Sequence, residues 1–366
     1  MARHLLQAYS LVVVLAATAL PSRAATQVTV AQLDQFLASE NSAHTSDSEV
    51  AQRLTAAELT ERLTRAQLAW IRAKFSPGPE TMQALDLLAD RSEFLNLPDA
   101  EILRRSSPSA AEQKQMIHSA ERFATETLSH LPDYLARETT MSFEDIPVFT
   151  KTTSMQSGLY PTGTTVLEVA YRSGREVSSR PLAAPVGHPV RANGSRLESL
   201  GQFGPVLATL MTDSVKGTIE WDHWEQTATG ILAVFTYSVP QDASHYRVDF
   251  CCISNDVEGG LNSFHGTPAY HGTLSIDPAT GAILRVTLLA DFPEFDPEPD
   301  VDLMVEYQNV DVSGGNLICP VRSVALSEAY TWARKRYWTN LYLNEINYTN
   351  FHRFGSTARV LESAPP

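Results

Sequence analysis

The sequence predicts an α+β protein: an N-terminal bundle of short helices, then a large curved antiparallel β-sheet with an inserted helix near 203–212. Three observations carry this. Apolar residues recur every three to five positions through the first third of the chain, which is helical spacing. From Tyr134 onward the period falls to two, as in half-buried strands. Turn residues then punctuate a long series of strand-length segments. The expected division is a signal segment at 1–24, a helical domain at 25–131 and an antiparallel β domain at 132–366.

The first segment reads as an export signal. Arg3 and His4 precede an apolar run from Leu5 to Leu20, Pro21 breaks it, and Ser22-Arg23-Ala24 places small residues at the cleavage positions. The run is shorter than the roughly 20 residues of a membrane-spanning helix, so a retained anchor is the weaker alternative. No cysteine follows it to carry a lipid. The expected location is periplasmic or secreted, with no transmembrane anchor after cleavage.

In the helical front, Val50, Leu54, Leu59, Leu63, Leu68, Ile71 and Phe75 keep a helical stripe with small slips. Thr55 to Glu58 and Thr64 to Gln67 have capping-box spacing, which predicts successive short helices meeting at sharp turns. Ser76-Pro77-Gly78-Pro79 stops the run, and Met82, Leu85, Leu88 and Ala89 resume it. Ser109 and Glu112 cap a further helix reaching about Leu131, before Pro132. The bundle is expected to cover the β region, with a binding module as the other reading.

The strand candidates are 164–172, 217–226, 231–239, 245–253, 271–277, 282–290, 301–310, 316–327 and 341–354. Ser173-Gly174, Thr229-Gly230 and Asp277-Pro278-Ala279-Thr280-Gly281 join neighbours tightly, so consecutive strands should pair as hairpins. Phe203, Val206, Leu207, Leu210 and Met211 mark the inserted helix. A sheet of about ten strands has to curl, split or close. The face around the inserted helix is therefore either a packed core or a ligand cavity.

The chain carries 28 basic and 42 acidic residues, a formal charge of −14. Cleavage removes two basic residues, Arg3 and Arg23, and no acid, making it −16. Such a surface repels phosphate backbones, which argues against a nucleic-acid partner. Of the three cysteines, Cys252 and Cys319 each lie on an apolar alternation, and a Cys252–Cys319 bridge is the first expectation. Cys251–Cys319 and three free thiols are the alternatives.

Candidate chemistry is sparse. The run DFPEFDPEPDVD (291–302) gathers Asp291, Glu294, Asp296, Glu298, Asp300 and Asp302, oxygen ligands that a hard cation takes, but without an EF-hand pattern. His265, His271 and Asp222 would form a metal site for a hydrolase only if the strands brought them together. Ser195 has no evident base beside it, and Cys251 shares a strand face with Asp249 rather than a cation. No cofactor motif is present, and the chain reads as a non-enzyme more readily than as an enzyme. Trp221, Trp224, Phe235, Tyr237, Tyr246 and Phe250 concentrate aromatic surface on three successive strands, as core or as an acyl-chain or glycan platform. Ala333-Arg334-Lys335-Arg336 is a basic knot in an acidic chain.

GTLSIDPATGAILRVTL (272–288) resembles the central hairpin of periplasmic lipoprotein-carrier proteins, and INYTNFHRFG (346–355) is similar to their last strand. The resemblance covers about half of the β region, and the helical front has no counterpart in those carriers. It also extends to envelope-stress sensors, and to a group of uncharacterised exported bacterial proteins with this same helical front. It implies a half-barrel-like sheet that binds a lipid or lipoprotein. Three functions follow from the reading as a whole. The first is an envelope protein holding an apolar or amphipathic ligand in the β domain. The second is an interaction scaffold with a fully packed sheet and an envelope protein partner. The third is a metal-dependent hydrolase.

Overall fold

A computed structural model of the chain describes residues 26–129, 133–145, 159–172, 175–182, 186–187, 205–228, 230–255, 260–293, 298–333 and 336–353. The signal segment, Ser195, Glu294, Asp296, Arg334 and Lys335 lie outside these residues. Some described strands are known by backbone alone, among them the stretch with Phe250, Cys251 and Cys252.

The front is built from α1 (Val30–Ser42), α2 (Asp47–Thr55), α3 (Arg65–Phe75) and α4 (Pro79–Arg91), followed by a 3-10 turn at Ser92–Phe94. Leu33, Leu54, Leu63, Leu68, Ile71 and Leu85 are its buried centre. Thr64 caps α3 by accepting from the Gln67 amide at 3.3 Å, as its spacing predicts. Thr55 behaves differently. Its hydroxyl donates back to the Ala51 carbonyl at 2.9 Å and finishes α2, so no helix starts there. Residues 57–59 instead extend as β2 (Ala57–Leu59) and pair in parallel with β1 (Thr26–Val28). The partner lies some 30 positions upstream, beyond any local window. Further on, α5 (Ala110–Ser129) opens with a capping box, Ser109 N to Glu112 Oε2 at 2.7 Å and Glu112 N to Ser109 Oγ at 3.3 Å.

The β region comprises β3 (Tyr134–Asp145), β4 (Tyr160–Arg172), β5 (Arg175–Pro181), β6 (Val186–Gly187), α6 (Pro205–Asp213), β7 (Thr218–Thr227) and β8 (Gly230–Val239). It continues with β9 (Val248–Asn255), β10 (Gly260–Gly266), β11 (Ala269–Ile276), β12 (Ile283–Asp291), β13 (Asp300–Asp311), β14 (Asn316–Ala333) and β15 (Arg336–Arg353). Ten of these strands pair antiparallel in the order β5-β4-β3-β15-β14-β13-β12-β11-β8-β7. The sheet is open, with β5 and β7 at its two ends. The protein is thus α+β with a large antiparallel sheet, as the alternation predicts.

Local chemistry explains the hairpins. Between β11 and β12 the Asp277 carboxylate accepts from Ala279 N and from the Thr280 hydroxyl, and Gly281 N donates to the Asp277 carbonyl at 2.8 Å. Gly281 sits at φ 78°, a conformation glycine adopts without steric cost. Gly272 is needed for a different reason. A Cβ there would stand 2.0 Å from the Thr287 carbonyl oxygen.

Both faces of the sheet are covered. On one, Phe235, Tyr237, Leu274, Val286, Leu288 and Val305 pack against Ala120 and Ala124 of α5 and Val206, Leu207 and Leu210 of α6. On the other face, Arg285, Met304 and Glu306 of β12 and β13, with Arg322 and Val324 of β14 and Glu345 of β15, meet the helical front. The inserted helix therefore packs on the sheet as expected, and α5 joins it there.

The Cys252–Cys319 bridge is not formed. Cys319 is a buried free thiol among Tyr134, Tyr171 and Tyr348. Strand β9, which carries Cys251 and Cys252, meets β14 only at Trp332↔Asn255. That is thirteen positions along β14 from Cys319 (332 against 319), on the order of 40 Å of extended strand at about 3.3 Å per residue. A disulfide requires Cα atoms within about 7 Å. Among the described residues no helix is long and apolar enough to cross a membrane.

Candidate functional site

The aromatic concentration is a packed core. Trp224, Phe235 and Tyr237 are buried beneath α5 and α6, and Trp221 and Tyr246 pack against them. Trp221 stands edge-on to Trp224 and Phe235, with ring centroids 4.9 and 5.4 Å away. Tyr237 and Tyr246 both pack on Tyr270, and the Tyr237 hydroxyl donates to the Thr287 carbonyl at 2.7 Å. Phe250 pairs through its backbone with Phe264, and its side chain lies outside those described. The register shift at Asp222 turns Trp221 and Trp224, which strict alternation would separate, to the same side as Phe235. The two helices that fill that face are what make it core.

His265, His271 and Asp222 are not brought together. His265 Nδ1 lies 2.9 Å from Asp249 across β9 and β10, and His271 Nδ1 lies 2.9 Å from Asp291 across β11 and β12. Asp222 sits at a register shift in β7 and pairs with its neighbour His223 at 3.1 Å. Among the described residues no three His, Cys, Asp or Glu side chains converge to hold a metal ion. The acidic run contributes to the sheet instead. Burial and the Asp300 and Asp291 charges push the Asp302 carboxyl well above its ordinary range, and Glu298 accepts from the Phe292 amide.

The residues that sequence reasoning missed form an ionic seam between the front and the sheet. Glu93, in the 3-10 turn, accepts from Arg322 at 2.9 Å and from Arg285 at 3.1 Å, and its carbonyl oxygen accepts from Arg285 at 2.6 Å. Asp90, at the end of α4, accepts from Arg322 and Arg65, both at 2.6 Å. Arg62 pairs with Glu225 of β7 in a second buried bridge. Arg285, Glu306 and Arg322 are cross-strand neighbours, so opposite charges alternate along the sheet beneath the turn. Such pairs add little net stability, because desolvation costs nearly match the attraction. They do define where the front sits, since any displaced arrangement strands a buried charge. One signal existed in the sequence: Arg285 and Arg322 are charges flanked by apolar runs within their strands, in positions that alternation alone would assign to solvent.

Beside this seam the front and the sheet diverge into a cleft. One concavity of about 640 Å³ is walled by Arg65, Arg72, Asp86 and Glu345 together with Met82, Leu87, Met141 and Phe143. A second, of about 480 Å³, shares Gln83, Leu87 and Phe143 and runs between α2 and β4 toward Leu159 and Tyr160. Both volumes fall in the usual range of small-molecule sites, roughly 300–1,000 Å³. Helix spacing sets the wall: on α4, Met82 and Asp86 are four positions apart, and so are Gln83 and Leu87, two adjacent rows that both line the cleft. Arg72 pairs with Asp86, and burial raises the Asp86 carboxyl against the pull of Arg72 and Arg65.

No family model matches the chain, and neither does any curated protein. Among solved structures, the chain is similar to the crystal structure of a LolA superfamily protein from Nitrosomonas europaea. The identity is 8%, over 68% of this chain and 97% of that one, at a TM-score of 0.25. So low a score leaves the functional reading to the cleft itself.

Proposed function

We propose that the protein is an exported binding protein that holds an amphipathic ligand, a lipid or the lipid part of a lipoprotein, between its helical front and its sheet. The observation that carries this is the cleft, where an apolar wall of Met82, Leu87, Met141 and Phe143 adjoins a charged end of Arg65, Arg72, Asp86 and Glu345. The export signal at 1–24 puts the chain where such ligands occur. The ligand site of this reading differs from the aromatic face, which α5 and α6 fill.

Native mass spectrometry of the mature protein, purified gently from its own envelope, tests the reading. A lipid or lipopeptide should co-purify at near-unit stoichiometry and be lost from Leu87→Trp, which fills the wall shared by both concavities. A clean apo mass for the wild type would reject it. The second reading, an interaction scaffold with a protein partner, is favoured by the packed aromatic face, and that clean apo mass is its expected result.

A further inference from the structure

The charged end of the cleft has a composition that narrows the ligand. Arg65, Arg72 and Asp86 are each about one third exposed and Glu345 is 13% exposed, so two guanidiniums and two carboxylates are presented together. They are mutually close: Arg65 lies 3.6 Å from Asp86 and 4.0 Å from Glu345, and Arg72 pairs with Asp86. Asp90 beneath them is already committed to Arg65 and Arg322. The Nε of Arg65, 3.9 Å from Glu93 Oε1, and that of Arg72 are shielded from water and make no hydrogen bond among the described residues.

We infer that this end selects a zwitterionic head group, with its oxyanion on Arg65 and Arg72 and its ammonium on Asp86 and Glu345. The inference rests on the cleft being the ligand site. The physical reason is charge balance on burial. A head carrying both signs exchanges ion pairs with the four side chains and leaves no net charge desolvated. A purely anionic head would meet both guanidiniums but be repelled by Asp86 and Glu345, and a purely cationic head would meet the reverse. Guanidiniums recognise phosphate and carboxylate through paired N–H donors, so Arg65 and Arg72, each about one third exposed, favour an oxyanion over a neutral acceptor. The neighbouring wall of Leu87, Met141 and Phe143 takes the apolar remainder.

The test is calorimetric titration of the full mature protein with dihexanoylphosphatidylethanolamine, dihexanoylphosphatidylglycerol and free phosphoethanolamine, all below their aggregation concentrations. The ethanolamine lipid should bind at least tenfold tighter than the glycerol lipid. Glu345→Gln and, separately, Asp86→Asn should each erase most of that preference by weakening the ethanolamine lipid alone, with melting curves confirming that the variants fold. Free phosphoethanolamine binding as tightly as its lipid would support the zwitterion and identify a soluble source. Equal or tighter binding of the glycerol lipid, still lost in Leu87→Trp, would overturn the head-group inference and leave the cleft standing. No binding of any probe would overturn both.

Discussion

Arg322 of β14 and Glu93 of the turn that ends the helical front meet at 2.9 Å with both side chains buried, although 229 positions separate them in the chain. Glu93 also holds Arg285, so one carboxylate compensates two guanidiniums on adjacent parts of the sheet. With Asp90 on Arg322 and Arg62 on Glu225, it ties the front to the sheet.

Glu93→Gln should therefore be among the most damaging single changes. It leaves Arg285 and Arg322 buried without their shared charge, a situation that costs about 3–5 kcal/mol. Urea unfolding of the variant is the measurement. A loss below about 1 kcal/mol would show that the seam is hydrated and does not position the front.

The two carboxylates of the seam predict opposite pH dependences. Burial pushes the Asp90 carboxyl up to about 7, with Arg322 and Arg65 offsetting only part of that. Its contribution to folding is then full below the unfolded value, near 3.8, and is lost as pH rises through about 7. Burial also opposes ionisation of Glu93, but Arg322, Arg285 and Arg62 override it and bring the carboxyl down to about 2. That contribution is present above about 4.5 and is lost as pH falls toward 2. Wild-type stability should decline between about pH 4 and 7 by up to roughly 4 kcal/mol, and Asp90→Asn should flatten the decline. An unchanged profile in the variant would remove Asp90 as its source.

Gly272→Ala tests the close approach of β11 and β12. The added Cβ would lie 2.0 Å from the Thr287 oxygen and 2.9 Å from the Tyr237 hydroxyl, so it must break their hydrogen bond or part the strands. Overpacking and one lost buried bond together predict about 2–4 kcal/mol of destabilisation. A melting temperature within a degree of wild type would contradict this geometry.

Cys319 should be chemically silent in the folded protein. Burial pushes its thiol up to about 11, and almost no thiolate exists at pH 8. Iodoacetamide at that pH should leave the Cys319 peptide unmodified until denaturant is added, as read by peptide mass mapping. Rapid labelling of native protein would place the thiol at the surface.

The parts legible in the sequence are those governed by neighbours a few positions apart. The caps at Thr64 and Ser109, the inserted helix and the Asp277–Gly281 turn depend on such neighbours, and the alternation of β7 to β15 reports one buried face. Where a distant partner competes, the local reading fails. Thr55 has the spacing of a cap, yet residues 57–59 pair with 26–28. The alternation of Cys252 and Cys319 is compatible with a bridge that the branching of β9 off β14 prevents.

The elements and their class follow from the chain alone, because helix and strand periods come from backbone geometry and from which side chains avoid water. The strand order came from long-range pairing: β3 pairs with β15, the last described strand, and brings Met141 and Phe143 alongside Glu345. Long-range packing likewise has α5 and α6 fill the aromatic face and the front cover the other. Arg285 and Arg322 occupy outward positions in their strands, and their burial comes only from a second layer of chain carrying Asp90 and Glu93. Charge complementarity across such a layer has no period along the chain, so it emerges only once the two layers are in contact.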